Sequence, residues 1–210
     1  MKIVDRTDYN KISELLNQYP YLLLVDLEAT CSEDNSIAVN EFETIEIGAV
    51  MVCTKQLIAI DEFECLIKPV QHPILTDFCT QLTGITQAEV DQADNFSKAF
   101  NAFISWLKPY DDYLFCSWGA YDSVQLAIDC QYHQLNSLAI DRELNLKKAF
   151  AKIQKVKPRV GMKRAMQLAG LTIDGRAHRA LDDVKNISKL LPFIFGFKNI
   201  KRENFSVKNT

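Results

Sequence analysis

The sequence predicts an α/β fold in which three early strands are followed by alternating helices and at least one further strand. The length of 210 residues suits one such domain and is short for two. Hydrophobic residues make up 48% of the chain and charged residues 24%, as in ordinary globular proteins. No apolar stretch approaches the ~20 residues of a membrane span, so no membrane partner is expected.

The first elements follow from apolar spacing. Asp5–Tyr19 has apolar residues at helical intervals and predicts a short amphipathic helix that Pro20 ends. The polar segment Cys31–Phe42 predicts an irregular loop. Three apolar runs predict strands, and the first of them lacks polar alternation, which indicates burial of both faces. These strands, which antiparallel pairing can join, are Tyr21–Leu27, Thr44–Cys53 and Ile58–Ile67.

The second half of the chain is mainly helical in pattern. Thr86 is placed to cap a helix with Glu89 as its capping-box partner, and Phe96–Leu107 carries an apolar stripe at helical spacing. Gly170 ends one later helix, and Pro192 kinks or ends the last one. The other predicted elements are a strand at Tyr113–Ser117 and helices at Leu75–Leu82, Tyr121–Tyr132, Asn145–Ile153, Met162–Ala169 and Arg179–Phe195.

Charge is distributed unevenly along the chain. The net charge is −3, but residues 12–54 contain eight acids and no Lys or Arg, while residues 142–185 contain twelve Lys or Arg and four acids. An acidic centre beside a basic tract is typical of a protein that holds cations and binds a polyanion. Solvated helix faces are the alternative interpretation of the tract. Its candidate phosphate contacts include Lys147, Lys148, Lys163 and Arg164.

The six cysteines are scattered and include no Cys-x-x-Cys pair, so neither a zinc ribbon nor a disulfide framework is expected. The first ten residues carry both signs of charge and lack the apolar core of a signal peptide. Both observations favour a reduced compartment, and a cytoplasmic location is expected.

Two carboxylates stand at the end of the first strand. Asp26 and Glu28 are two residues apart, and side chains at i and i+2 point to the same face of a strand. Carboxylates this close repel each other unless one is protonated or a cation lies between them. Oxygen ligands favour Mg²⁺ or Mn²⁺, so the pair predicts a metal site. The alternative is an ordinary strand end that enters solvent.

Other polar groups fall at the starts of helices. Asp122 follows the fourth strand, where a lone aspartate is commonly a helix cap. His178 precedes Asp182 and Asp183, which open the final helix. Adjacent residues on a helix point about 100° apart, so only one of these two aspartates readily faces a given metal. Spacing alone does not decide which.

These residue types suit a two-metal phosphodiester site. Such a site surrounds two Mg²⁺ ions, about 3.5–4 Å apart, with carboxylates; one ion acidifies the attacking water and the other stabilises the leaving oxygen. A histidine, whose ordinary pKa is about 6.5, can take the proton of that water. The candidates are Asp26, Glu28, Asp122, one of Asp182 and Asp183, and His178.

Five separated blocks of the sequence carry a family likeness: Leu24–Cys31, Glu46–Val50, Leu82–Gln87, Ser117–Asp122 and His178–Ile187. Together they resemble the DEDDh 3′–5′ exonucleases, and within them the Eri-type branch that includes the histone-mRNA 3′-exonuclease. The resemblance covers roughly residues 20–195, and the blocks fall in the family's order.

This resemblance implies an RNase H-like fold with a mixed five-stranded sheet flanked by helices. It implies two Mg²⁺ or Mn²⁺ ions held by Asp26, Glu28, Asp122 and Asp183. Glu28 and His178 are then the catalytic residues, with His178, five residues before Asp183, as the general base. Asp182 is left as a helix-opening residue outside the ligand set.

The resemblance also implies contacts with the terminal nucleotide. The implied contacts are Glu28, Ala29, Thr30, Leu82, Thr83 and His178. Trp118 has two interpretations, stacking on a base or packing in the core.

The resulting hypothesis is a metal-dependent 3′–5′ exoribonuclease that removes nucleoside 5′-monophosphates from RNA 3′ ends. Residues 21–197 form the predicted exonuclease domain, between an N-terminal helical extension at 1–20 and a polar tail at 198–210. One alternative is a DEDDh exonuclease that acts on DNA or short oligonucleotides. Another is a non-catalytic RNA-binding module.

Overall fold

The computed structural model describes residues 8–201. The first three residues of the predicted N-terminal helix and most of the predicted polar tail lie outside the described residues. Where the tail begins, Gln154 Nε2 donates to the carbonyl of Lys198 at 2.9 Å, and its Oε1 accepts from the N–H of Ile200 at 3.0 Å. Residues 198–200 are therefore tied to the body of the domain.

The N-terminal segment is not the continuous α-helix predicted from its apolar spacing. Tyr9–Glu14 forms a 3-10 helix with a non-helical residue at Lys11, and only α1 (Leu15–Gln18) is α-helical. The carboxylate of Asp8 accepts a hydrogen bond from the N–H of Asn10. The non-helical backbone at Lys11 divides the segment into two runs, each too short to be a stable α-helix by itself, which explains the correction.

Six strands form the sheet, in the spatial order β4-β3-β2-β1-β5-β6. The first three pair antiparallel as predicted, whereas β1–β5, β5–β6 and β3–β4 are parallel, so the sheet is mixed. The strands are β1 (Tyr21–Ala29), β2 (Thr44–Cys53), β3 (Ile58–Lys68), β4 (Asp94–Asn95), β5 (Tyr113–Ser117) and β6 (Glu143–Asn145).

The expected count of five strands is low by one because of β4, whose two residues pair with Ile67 and Lys68 at the end of β3. The short strand β6 also ends at Asn145, where the sequence predicted the start of a helix. Strands of two or three residues span barely one alternation of side chains, so they leave no periodic signal in a sequence.

The remaining helices match their predicted positions closely. At α3 the capping box is confirmed, because the N–H of Thr86 donates to Glu89 Oε2 at 2.7 Å and Thr86 Oγ1 accepts from the N–H of Glu89 at 3.3 Å. Pro192 lies two residues before the last helix ends. No helix within residues 8–201 is long and apolar enough to span a bilayer. The helices are α2 (Asp77–Thr83), α3 (Gln87–Gln92), α4 (Phe96–Leu107), α5 (Asp122–Tyr132), α6 (Leu146–Ile153), α7 (Met162–Ala169) and α8 (Ala180–Ile194).

Hydrophobic side chains cover both faces of the sheet, and β1 contributes to both. Leu22 and Leu24 belong to a cluster with residues of α6, α7 and α8. Leu23 and Val25 belong to a second cluster with residues of α4 and α5. The first strand is therefore buried on both faces, as its composition predicted, and only its carboxyl end carries acidic side chains.

The last helix approaches the sheet closely at Gly48. A Cβ atom at this position would lie 2.2 Å from the backbone carbon of Ala180 and 2.2 Å from the backbone nitrogen of Leu181. Gly48 is paired with Asp26 across β1 and β2. The lack of a side chain at residue 48 thus lets α8 begin directly beside the acidic end of β1.

Candidate active site

Asp26 and Glu28 lie on one face near the carboxyl end of β1, opposite Gly48 and Glu46 of β2. Glu28 is only 8% exposed, and Asp26 is partly exposed. Within residues 8–201 the structure gives no hydrogen bond to either carboxylate. Glu28 therefore does not behave as a residue at a strand end that enters solvent, where water would surround it.

Asp122 opens α5 but does not cap it. Tyr121 occupies the N-cap position and makes no side-chain capping bond, while Asp122 is the first helical residue and is 5% exposed. Burial raises the pKa of Asp122 to about 6, although contacts with its own N–H, with Ser117 and with the backbone of Leu27 lower it. Leu27 lies between Asp26 and Glu28 on β1. Its contact with the Asp122 carboxylate means that this carboxylate lies beside the same strand end.

Glu28, His178 and Asp183 meet at the same strand end. Each presents one ligand atom, and these three atoms all lie within 4.8 Å of one another. The N–H of His178 donates to Asp183 Oδ2 at 3.2 Å, whereas Asp183 Oδ1 is buried and has no hydrogen-bond partner within residues 8–201. His178 has a φ of 61°, in the left-handed region, and it is exposed to solvent.

The two adjacent aspartates of α8 have different surroundings. Asp182 Oδ2 accepts a hydrogen bond from the N–H of Arg176 at 2.8 Å, so this carboxylate faces the preceding loop. Asp183 faces Glu28 and His178. The helical rotation of about 100° between neighbours separates the two side chains, and Asp183 is the one that joins the cluster.

Burial raises the pKa of each of the four carboxylates. Burial first, and then the charges of the other three, raise the pKa of Asp26 well above its usual value. Burial and the charge of Asp183 raise the pKa of Glu28 to about 8. Burial also raises the pKa of Asp183, although the hydrogen bond from the backbone N–H of His178 lowers it. The described protein groups thus leave the negative charge of this site largely uncompensated.

A divalent cation fits these residues. A cation between the carboxylates would favour their charged forms and reverse the upward pKa shifts. It would also give a partner to Asp183 Oδ1, which is otherwise a buried polar atom without one. Carboxylate oxygens at this density suit a hard cation such as Mg²⁺ or Mn²⁺. This end of the sheet is therefore a candidate metal centre.

A comparison with known families gives the same region a wider context. The profile of the family RNase_T, described as an exonuclease family, matches residues 23–191. The matched segment starts in β1, before Asp26 and Glu28, and ends in α8, after Asp183.

The chain belongs to the RNase_T exonuclease family.

Curated relatives of this RNase_T chain include the 3′-5′ exoribonuclease 1 of Mus musculus, which is 36% identical over 183 residues, 82% of this chain and 52% of the mouse protein. The Homo sapiens protein of the same name is also 36% identical, over 82% of this chain and 51% of its own length. The chain thus spans about half the length of the curated relatives it matches.

Solved structures confirm the predicted RNase H-like α/β fold and the DEDDh resemblance. The crystallographic structure of the nuclease domain of 3′hExo, a DEDDh family member bound to rAMP, has a TM-score of 0.74 and 36% identity, and it covers 82% of this chain and 90% of that chain. A structure of histone-mRNA stem-loop recognition by 3′-exonuclease has a TM-score of 0.74 and 34% identity, over 82% and 80% of the two chains.

Four weaker nucleotide contacts remain predictions in this RNase_T domain. Ala29 ends β1, and Leu82 is partly exposed in α2. Thr30 is held by the backbone of Glu43, since its Oγ1 accepts from the N–H of Glu43 at 3.0 Å. The hydroxyl of Thr83 donates to a carbonyl of its own helix and accepts from the N–H two residues later. Both threonine hydroxyls are therefore already engaged with the backbone.

Sequence reasoning missed a buried ion pair that ties α8 to the sheet. Glu46 is 0% exposed; its Oε1 accepts from Arg179 Nε at 3.0 Å and its Oε2 from the N–H of Ala180 at 2.9 Å. Arg179 directly follows His178, so the pair fixes the chain on the C-terminal side of that histidine. Glu46 stands in one of the family-like blocks, but no local pattern links it to a residue 133 positions later.

The structure gives one ring contact for Trp118 and one for a residue of the basic tract. The ring of Trp118 is partly buried and lies 6.1 Å from that of Phe150, which supports the packing interpretation. Lys148 Nζ lies 5.3 Å from the centre of the Tyr9 ring. Phosphate binding by the tract residues Lys147, Lys148, Lys163 and Arg164 stays a prediction.

Proposed function

We propose that this protein is a metal-dependent 3′–5′ exoribonuclease that removes nucleoside 5′-monophosphates from RNA 3′ ends. The observation that carries the proposal is the convergence of unpaired acidic groups with one exposed histidine at the end of β1. The names of the mouse and human relatives support the reaction class. The relative bound to rAMP supports a ribonucleotide ligand.

The proposed metal ligands come from three rigid elements. Asp26 and Glu28 lie on β1, Asp122 on α5 and Asp183 on α8. Two bound Mg²⁺ or Mn²⁺ ions would acidify the attacking water and stabilise the leaving oxygen. Because strand and helix backbones hold these carboxylates in position, little reorganisation is needed when a substrate arrives.

His178 is the proposed general base. Its ring nitrogen lies within 4.8 Å of the carboxylate atoms of Glu28 and Asp183, which is the region where an attacking water would bind. The hydrogen bond from its N–H to Asp183 Oδ2 fixes its backbone, while its exposure lets a proton pass on to solvent. An imidazole so placed can take the proton of the water as the phosphorus–oxygen bond forms.

The burial of Glu28 and Asp122 favours a single-stranded end as substrate. A terminal nucleotide can enter a narrow cleft and reach buried carboxylates, whereas the interior of a duplex cannot. Release from the 3′ end, rather than from the 5′ end, is proposed from the relatives' names.

A product assay tests the proposal. RNA of one sequence, labelled at either its 3′ or its 5′ end, is incubated with Mg²⁺ and with EDTA. A 3′ label should appear at once as a mononucleotide, a 5′ label should mark progressively shorter chains, and EDTA should stop both. If DNA of the same sequence is shortened as fast as the RNA, the result favours the alternative of a DNA-directed exonuclease. Bound RNA without any shortening would favour the non-catalytic module.

The role of His178 has its own test. His178→Ala should lower the turnover rate by at least a hundredfold, on the order of a lost general base, while Mn²⁺ affinity measured by calorimetry changes far less. His72→Ala is the matched control, because His72 faces Glu41 at 3.5 Å near the surface. Equal loss of Mn²⁺ affinity and rate in His178→Ala would make His178 a ligand rather than a base.

A further inference from the structure

The loop before α8 carries a second basic residue, Arg176, two positions before His178. The N–H of Arg176 donates to Asp182 Oδ2 at 2.8 Å, so the first turn of α8 holds the backbone of the loop in place. The residue itself is exposed. Its position relative to His178 is therefore set by the same helix that carries Asp183.

The guanidinium of Arg176 lies flat against the end of α2. A Cβ atom on Gly84, the C-cap of that helix, would lie 1.8 Å from Cζ, 1.9 Å from Nη1 and 2.1 Å from Nη2 of Arg176. Three nearly equal distances mean that the planar group faces the Gly84 backbone. A residue with a side chain at position 84 would push the guanidinium away.

The edge of this guanidinium has no partner. The structure gives no hydrogen bond or ion pair to it within residues 8–201. One acid whose pKa the charge of Arg176 lowers is Glu89, but hydrogen bonds from Thr86 lower that pKa more than the charges of Arg179 and Arg176 do. Glu89 Oε2 is already bound by the N–H and the hydroxyl of Thr86.

Arg179 shows what a structural arginine looks like in the same loop. Its guanidinium is 3.0 Å from Glu46 through Nε and 3.4 Å from Glu64 through Nη2, so its donors are used within the protein. Arg176 has the opposite combination, a restrained side chain with free donors. A guanidinium offers up to five N–H groups in a rigid plane, which matches the oxygens of a phosphate.

We propose that Arg176 binds a backbone phosphate of the nucleic-acid substrate, one that neighbours the scissile phosphodiester. This inference rests on the proposed function and deepens it. The guanidinium makes no ion pair with Glu28 or Asp183 and lies instead over Gly84, so the phosphate that it binds is outside the carboxylate cluster. Because the side chain is already restrained, binding loses little rotamer entropy.

The expected kinetic consequence separates long substrates from short ones. A single-nucleotide substrate presents only the scissile phosphate, so it should not depend on Arg176. An oligonucleotide presents the neighbouring phosphodiester as well and should bind more tightly because of it. Each phosphate contact also contributes about −0.7 to the slope of log affinity against log salt concentration for single strands.

The test compares two substrates and two measurements. Arg176→Met keeps an unbranched apolar stem over Gly84 and removes the charge, and Arg176→Lys keeps the charge without the fork. Lys98→Met is the control, since it removes one exposed charge from α4. The substrates are a 5′-labelled 12-nucleotide RNA and the p-nitrophenyl ester of uridine 5′-monophosphate.

For Arg176→Met, KM for RNA should rise by about tenfold, the order of one charge-assisted contact, with kcat little changed. Turnover of the aryl ester should stay within about twofold, and the salt slope of RNA binding should become shallower by about 0.7. Arg176→Lys should recover part of the affinity. Lys98→Met should match the unaltered protein in every measurement.

Two results would overturn the inference. Equal loss on both substrates would mean that Arg176 only supports the loop, and an unchanged KM for RNA would mean that it contacts no phosphate. Binding of fluorescent RNA in EDTA repeats the comparison without catalysis. If the unaltered protein released no nucleotide at all, the proposed function would fail, while the binding comparison would still decide the role of Arg176.

Discussion

Two groups of buried or partly buried carboxylates in this molecule differ in their hydrogen bonding. In the first group, which we call the paired acids, every residue has named donors. In the second, which we call the site acids, donors are few. The paired acids are Glu43, Glu46, Asp129 and Glu143, and the site acids are Asp26, Glu28, Asp122 and Asp183.

Glu43 is the fullest example of a paired acid. Its two oxygens accept from the N–H groups of Val70, Gln71 and His72, each at 2.8 Å. Glu143 likewise accepts from the hydroxyls of Ser117 and Ser123, at 3.2 and 2.8 Å. Such residues join loops and strands, and nothing is left over for a ligand.

The site acids have the opposite character. Asp26 and Glu28 accept no hydrogen bond within residues 8–201, and Asp183 accepts one, on Oδ2 only. Asp122 is intermediate between the two groups, because contacts with Ser117 and with the backbone of Leu27 lower its pKa although burial raises it. The comparison teaches that burial alone does not single out the candidate ligands, whereas a shortage of donors does, since a desolvated carboxylate without donors needs another partner to offset its desolvation.

The largest predicted effect separates the site acids from the rest of the fold. Asp183→Asn should lower activity by at least a thousandfold, because it removes a proposed metal ligand, while thermal stability is kept or raised since one of four mutually repelling charges is gone. Rate assays and thermal unfolding check this. Asp182→Asn is the matched control, because its amide oxygen can still accept from Arg176. A fully active Asp183→Asn would end the ligand assignment.

The second prediction concerns the paired acids. Glu43→Ala should lower the free energy of unfolding by about 3–5 kcal/mol, because three N–H groups that bind it lose their acceptor. Glu62→Ala should cost less than about 1 kcal/mol, since Glu62 pairs with Lys185 in an exposed position. Urea unfolding measures both. Similar losses of unfolding free energy in the two variants would contradict the expectation that burial and the number of donors decide how much an acidic residue stabilises the fold.

The third prediction uses metal as the missing partner of the site acids. Each proposed Mg²⁺ or Mn²⁺ ion, at a hundred times its dissociation constant, should raise the free energy of unfolding by about 2.7 kcal/mol, because the carboxylates come together only in the folded state. Asp183→Asn should lose most of this gain, and Glu62→Ala should keep it. Thermal unfolding in EDTA and in metal gives the comparison, and an unchanged midpoint would argue that no cation binds.

The smallest predicted effect is a pH dependence. The folded pKa of Glu28, about 8, lies above its unfolded value of 4.5. The stability that this shift contributes is therefore complete below pH 4.5 and is lost as pH rises through about 8, because the folded state must release a proton that it holds tightly. The midpoint of thermal unfolding in EDTA should therefore fall as pH rises across this range. Saturating Mg²⁺ should flatten the trend, because the metal favours the charged carboxylate.

The elements that sequence reasoning located well are those with a long local pattern. The bounds of β2, β5, α4 and α7 coincide with their predictions, because each has a continuous run or stripe with a clear stop. The continuous helix predicted for the N-terminal segment was wrong because the backbone is non-helical at Lys11, and apolar spacing over so few residues does not reveal such a break. The two-residue strand β4 had no pattern to detect.

For the candidate site, sequence reasoning named the acidic residues and the histidine but not the residues that hold them in position. Asp26 and Glu28 share a strand face by simple periodicity, whereas the choice between Asp182 and Asp183 needed the family's spacing. The pairing of Glu46 with Arg179 and the contact of Arg176 with Gly84 join residues far apart in sequence. Contacts of this kind depend on how α8 and its loop dock, which no local pattern encodes.

The close passage of α8 over Gly48 has a consequence for how sequence variation in this domain should be interpreted. Asp26 and Glu28 are attached to the sheet and Asp183 to the helix, so a single added methyl group at residue 48 would push the two sets of carboxylates apart. A survey of substitutions scored only by RNA turnover would then rank Gly48 beside the acidic residues. Its high rank would reflect the distance between β2 and α8, since glycine has no side chain that could take part in the reaction.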